Sequence, residues 1–155
     1  MIGAQVGIRK GGNMPLAFRL DRESHVIVAA GYGTLSDDQV FDYQHQISSR
    51  EDTIGYDELV DMTHVKEISL PSTERVRDLA QLAAGTDASR GSSRLAIVAP
   101  GDLAFALGRM FQTNRELDPR SRREVGVFRT TKEALAFLRI DHPLPLPKLE
   151  EHSRV

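Results

Sequence analysis

The sequence contains no cysteine and no tryptophan. Without cysteine there is no disulfide scaffold, thiolate zinc site, iron–sulfur cluster or cysteine nucleophile. No stretch approaches the ~20 consecutive apolar residues that a spanning helix needs, so no membrane span is expected. The opening residues from Met1 to Gly12 lack the charged-then-apolar order of a secretory signal, and a cytoplasmic location is expected. The histidines are scattered (His25, His45, His64, His142, His152), with no pair one turn apart on a helix. Neither a metal nor another cofactor is expected.

What is present is the composition of a globular domain, with 40 % hydrophobic and 27 % charged residues. A chain of 155 residues can bury a core without covalent help. The net charge of −2 covers an asymmetry. From Asp21 to Asp61, ten acidic residues stand against two basic ones, and from Arg90 to Lys132, nine basic against four acidic. Such a dipole can steer a charged partner, or it can be two solvated surfaces of opposite sign.

Along the chain, residues 1–14 read as a loose leader, 15–141 as one domain, and 142–155 as an extended tail carrying Pro143, Pro145 and Pro147. Alternating apolar residues predict a strand over Leu16–Asp21, and three turn residues then lead into a second strand over His25–Ala30. Gly31-Tyr32-Gly33 is expected to end that strand. Ser36, Asp37, Asp38 and Gln39 form a capping signature for a first helix. A third strand is expected over Asp57–Met62, and a second helix from Pro71 to Ala84 with Gly85 at its end. The continuously apolar run Leu95–Ala99 predicts a strand covered on both faces. Asp102 is expected to cap a third helix over Leu103–Asn114. Val125–Phe128 is expected as a fifth strand, and Lys132–Leu138 as a last helix. Strands alternating with helices imply a mixed, mostly parallel five-stranded α/β sheet, with the first strand antiparallel at or near an edge.

Within this pattern, Asp61-Met62-Thr63-His64-Val65-Lys66-Glu67-Ile68-Ser69-Leu70-Pro71-Ser72 resembles the motif Asp-Leu-Ser-x-Val-x-x-Ile-Asp-Ser-Ser-Gly of the STAS domain. That is the fold of anti-sigma-factor antagonists of the SpoIIAA type. Asp61, Thr63, Val65 and Ile68 match in type and spacing. The second half, from Arg94 to Met110, is similar to small bacterial SpoIIAA-like proteins, sometimes grouped with lipid-binding SEC14-type domains. The resemblance covers roughly residues 15–140. It implies the order β-β-α-β-α-β-α-β-α and a regulatory module working by protein contact. It also places Pro71, which has no hydroxyl, at the family's phosphoacceptor position, so regulation by phosphorylation in its usual form is not expected. Ser69 and Ser72 are the neighbouring hydroxyls.

Several residues are candidates for a site. Asp61, Thr63 and His64 bring a carboxylate, a hydroxyl and an imidazole together, though no nucleophile elbow accompanies them. Pro100 and Gly101 follow the most apolar strand, at the sheet edge where α/β proteins gather ligands. Gly31–Ser36 has the strand–glycine–helix order of a dinucleotide loop but lacks its third glycine, and reads as a structural turn. Arg109, Arg115, Arg120, Arg122 and Arg123 form a basic cluster. No aromatic lies within Arg115–Arg123 to stack on bases, and no nucleic acid is expected as partner. Phe105, Met110 and Phe111 cannot share one narrow stripe of a helix, so the third helix either is broadly buried or meets a partner or ligand.

The leading expectation is a non-enzymatic, STAS-like binding or regulatory module acting through protein–protein contacts, expected as a homodimer. The alternative is a carrier of a small apolar, lipid-like ligand, with a pocket beside the second and third helices near Leu82, Phe105, Met110 and Phe111. Candidate ligand-binding residues are Asp61, Thr63, His64, Pro100, Gly101, Phe105, Arg109 and Met110. No catalytic residue is assigned. An enzyme using Asp61 and His64 is the third reading.

Overall fold

The computed structural model describes residues 16–69 and 72–148. The expected leader, Pro71, and the last seven residues of the tail lie outside the described residues. The elements are β1 (Leu16–Asp21), β2 (Val26–Ser36), α1 (Asp37–Ser48), β3 (Asp57–Ser69), α2 (Thr73–Arg90), β4 (Arg94–Val98), α3 (Asp102–Leu117), β5 (Glu124–Phe128) and α4 (Thr131–Leu138). The five strands form one sheet in the order β1-β2-β3-β4-β5. β1 pairs antiparallel with β2 at the edge, and every other pair is parallel.

This order fixes where the helices go. From β2 to β5 the strands advance in one direction, so three crossovers of the same hand place α1, α2 and α3 on one face. α4 follows the last strand, is free of that constraint, and covers the other face. It packs there with Val26, Val28, Leu59, Ala96 and Val98. One short helix cannot cover five strands, and the segment after it completes the cover with Leu144 and Leu146. That segment is tied down by one side chain of β1 and one of β2. Arg19 Nε donates to the Pro145 carbonyl at 2.6 Å, and the Tyr32 hydroxyl donates to the Pro147 carbonyl. The prolines keep this stretch extended, and its apolar residues dock.

Four boundaries differ from those expected. β2 does not end at Gly31-Tyr32-Gly33 but continues to Ser36. The glycines are absorbed as an irregularity, with the register against β3 shifting between Ala30 and Tyr32 and again between Gly33 and Thr34. Gly33 has φ +68°, a conformation open to glycine without strain. β3 likewise runs to Ser69 rather than Met62, since Thr63, Val65 and Ile68 are β-branched and the pairing with β2 resumes after each irregularity. Asp61, Thr63 and His64 therefore lie within a strand, not past its end. Gly85 sits inside α2, and Gly91, at φ +78°, is the residue that ends it. Gly101, not Asp102, caps α3. Asp102 is the first helical residue, and its carboxylate meets Arg129 at 2.7 Å.

The basic cluster also divides. Arg115 is 1 % exposed and paired with equally buried Asp87 at 2.5 Å. Burial pulls its guanidinium below the ordinary value, while the Asp87 charge works the other way. Arg123 pairs with Glu58 at 2.9 Å, both nearly sealed. Arg109, Arg120 and Arg122 remain on the surface. Removing one member of such a buried pair strands the other charge, at a cost of about 3–5 kcal/mol.

Candidate functional site

On the α1–α3 face the helices do not close over the middle of the sheet. α1 sends Tyr43 and Ile47 onto the end of the sheet formed by β1 and β2. α2 and α3 send Ala80, Ala83 and Phe111 onto Leu95 and Val125 at the other end. α3 is drawn toward β5 by Gly108, where a Cβ would come within 2.9 Å of the Val127 side chain. Between the two packed ends lies a cavity of about 160 Å³. A void of roughly 150 Å³ lined by aliphatic and aromatic groups is large enough to hold benzene.

The cavity is lined along β3 by Glu58, Val60 and Met62, along β4 by Leu95 and Ile97, and from the helices by residues that include Val40, Val76, Leu79 and Phe111. On α3 the lining residues are Ala104, Leu107, Gly108 and Phe111, the i, i+3, i+4, i+7 spacing of one helical face. Val60 and Ile97 stand on two central strands yet remain only half-buried. Their neighbours Leu59 and Ala96, pointing to the other face, are 0 % exposed.

The mouth is polar. Ser36, Asp37, Ser69 and Arg75 surround it. Arg75 of α2 reaches across to α1, with Nε 2.7 Å from Asp37 and Nη2 3.2 Å from Asp38. Its guanidinium lies 4.0 Å over the Phe41 ring. The hydrogen bond from Arg75 holds the Asp37 carboxyl below its ordinary 3.8, against a smaller opposing effect of burial. At the end away from Arg75 the lining residues are Glu58 and Tyr43, whose polar groups bond to each other.

The residues nominated from sequence are distributed around this cleft, mostly outside it. Asp61 is 3 % exposed and accepts the Thr63 backbone N–H at 2.7 Å. His64 is exposed and stacks on Tyr32, with centroids 5.4 Å apart and planes within 4°. Thr63 and Gly101 line a second, larger groove of about 790 Å³ between the end of β3 and the start of α3. Pro100 accepts a hydrogen bond from Arg129, whose guanidinium also lies 4.1 Å over Phe105. Arg109 is exposed, and Met110 and Leu82 are half-buried away from the cleft. Ser69 lies at the mouth, and Ser72 caps α2 by accepting the Arg75 N–H. Of the residues placed near an apolar pocket, Phe111 lines the cleft, and Phe105, Met110 and Leu82 do not. Ala104, Leu107 and Gly108 line it without having been candidates, and their helical spacing with Phe111 is the signal the sequence carries for them.

Solved structures similar to this chain include the following two. One is an uncharacterised protein of the DUF3478 family with a SpoIIAA-like fold from Shewanella loihica PV-4. It is 19 % identical, with a TM-score of 0.44 and 88 % of this chain and 94 % of that one covered. The other is the anti-sigma factor antagonist SpoIIAA in its unphosphorylated form. It is 12 % identical, with a TM-score of 0.44 and 88 % and 97 % covered. No family model and no curated protein matches the chain.

Proposed function

We propose that the chain is a binding module, not a catalyst, and that its cleft between the sheet and α1–α3 takes a small apolar or amphipathic molecule. The observation that carries this reading is the half-burial of Val60 and Ile97 at the centre of the sheet. Leaving such side chains accessible forgoes roughly 25 cal/mol for every Å² of apolar surface. An occupant that covers them recovers that free energy.

A second reading is supported by the edge of β3. β4 pairs with β3 only from Glu58 to Asp61, so from Met62 to Ser69 the β4 side of β3 has no strand beside it among the described residues. An open edge of this kind pairs with an added strand, including one from a second copy. Under this reading the module acts through protein contact, as a homodimer.

Native against denaturing mass spectrometry of the purified protein separates the two. Extra mass that is lost on denaturation is the expected result for the cleft. A dimer of unmodified chains with no extra mass supports the contact module instead.

A further inference from the structure

The inner end of the cleft is a carboxylate. Glu58 and Tyr43 line it and are 4 % and 6 % exposed. Glu58 Oε1 accepts from Arg123 Nη1 at 2.9 Å, and Oε2 accepts from the Tyr43 hydroxyl at 2.5 Å. A carboxylate has about four acceptor positions, so two partners do not exhaust it. Beyond Glu58 the lining of β3 is Val60 and then Met62. From Glu58 to Met62 a strand advances about 13 Å, so this wall of the cleft runs lengthwise along the strand.

These features select an occupant. A hydrocarbon alone would leave the Glu58 acceptors facing an apolar surface, which is costly in a dry site. An anionic end would meet the Glu58 charge. A cationic end would add a second positive group beside Arg123, which already balances Glu58. A neutral hydroxyl donates one hydrogen bond to a charged acceptor, the stronger kind of such bonds, and adds no charge. We infer that the cleft takes a slender primary alcohol, its hydroxyl donating to Glu58 and its chain lying along Val60 and Met62 toward the mouth at Arg75. This rests on the reading of the cleft as a binding site.

Calorimetric titration of the full chain with n-octanol, its methyl ether and octanoate tests the assignment. n-Octanol is expected to bind about tenfold more tightly than either of the others, the scale of one hydrogen bond to a charged group. Glu58→Gln should bring the three within about twofold, the octanol preference having lost its charged acceptor. Because that variant strands Arg123, Tyr43→Phe serves beside it. It keeps the Glu58–Arg123 pair, vacates one acceptor position, and should retain or strengthen the preference. Equal affinity for all three probes, or loss of the preference in Tyr43→Phe, overturns the hydroxyl assignment and leaves the cleft reading standing. No binding of any probe, or binding unchanged in Val60→Phe, overturns the cleft reading and the inference together.

Discussion

The two faces of the sheet are covered by different means. On one, a short helix and a docked extended segment bury Val26, Val28, Leu59, Ala96 and Val98 to 1 % exposure or less. On the other, three longer helices leave Val60 and Ile97 only partly buried. The amount of helix is therefore not what seals a face. Where the helices are drawn matters more. α1 is held over β1 by an edge-to-face pair between Tyr43 and Phe18, and α3 is held over β5 by the contact of Gly108 with Val127. Two well-packed ends with a gap between them are the consequence. The sealed face reads as scaffold, and the gapped face as the place where something else completes the core.

The largest test of this contrast is a pair of truncations on adjacent β3 residues. Leu59→Ala on the sealed face should cost about 2–5 kcal/mol, because the removed atoms leave a void. Val60→Ala enlarges a space that already exists and should cost under about 1.5 kcal/mol. Urea unfolding of both variants decides the matter. Equal costs would mean that the cleft is packed shut in solution.

Next in size is the segment after α4. Leu144 is 8 % exposed against the sealed face, and Leu144→Ala should cost about 2 kcal/mol. If thermal unfolding is unchanged, the sealing of that face does not depend on the docked segment.

Adding volume should reverse the order of the two faces. Val60→Phe grows into the cleft and is expected to be neutral or slightly stabilising. Ala96→Phe, on the neighbouring strand and the opposite face, overpacks a closed core at about 1–3 kcal/mol. The same Val60→Phe protein should lose affinity for apolar probes. Comparable losses of stability in both variants would remove the distinction between the faces.

Much of the scaffold was legible in the chain. The limits of β1 follow from the alternation in Leu16–Leu20. The start of α1 follows from Ser36 and Gln39, which form the reciprocal cap in the structure. The mostly parallel sheet with an antiparallel β1 at its edge follows from the hairpin and from strands alternating with helices. The extension of β2 was not legible, because Gly31-Tyr32-Gly33 carries the same signal whether a strand stops or bulges. The buried pair Asp87–Arg115 was hidden by its separation of 28 residues. A pocket beside α2 and α3 was expected, with Phe111 in it, but the rest of its lining was not legible, for a different reason. Phe105, Met110 and Phe111 draw attention by size, while a cavity is set by small residues such as Ala104 and Gly108 and by where the helix axes lie. Periodicity shows which residues share a face, not whether the face is filled. The run Leu95–Ala99 predicted cover on both sides of β4, and Ile97 departs from it on the cleft side alone.

The smallest expected effect concerns the mouth, and it bears on rate more than on stability. Arg75 ties α2 to α1 through Asp37 and Asp38, and Asp78 adds to the negative charge around it. Ion pairs this exposed contribute little to folding, so Arg75→Ala should unfold much like the parent protein. Association of an apolar probe should nevertheless become faster, since the guanidinium no longer bridges the opening over Phe41. The pH dependence has a definite sign. The Asp37 carboxyl titrates below its ordinary 3.8 in the folded chain, so the tie is complete above that value and is lost as pH falls through the lower one. Stopped-flow association should therefore be flat from neutral pH down to the ordinary carboxylate range and accelerate below it. Asp37→Asn, which cannot ionise and leaves Arg75 only its contact with exposed Asp38, should be faster than the parent at neutral pH and show no acceleration. A parent protein whose rate ignores acid, with both variants no faster, would mean that the mouth stands open with the tie in place, and that the gapped face admits its occupant without any movement of α1 from α2.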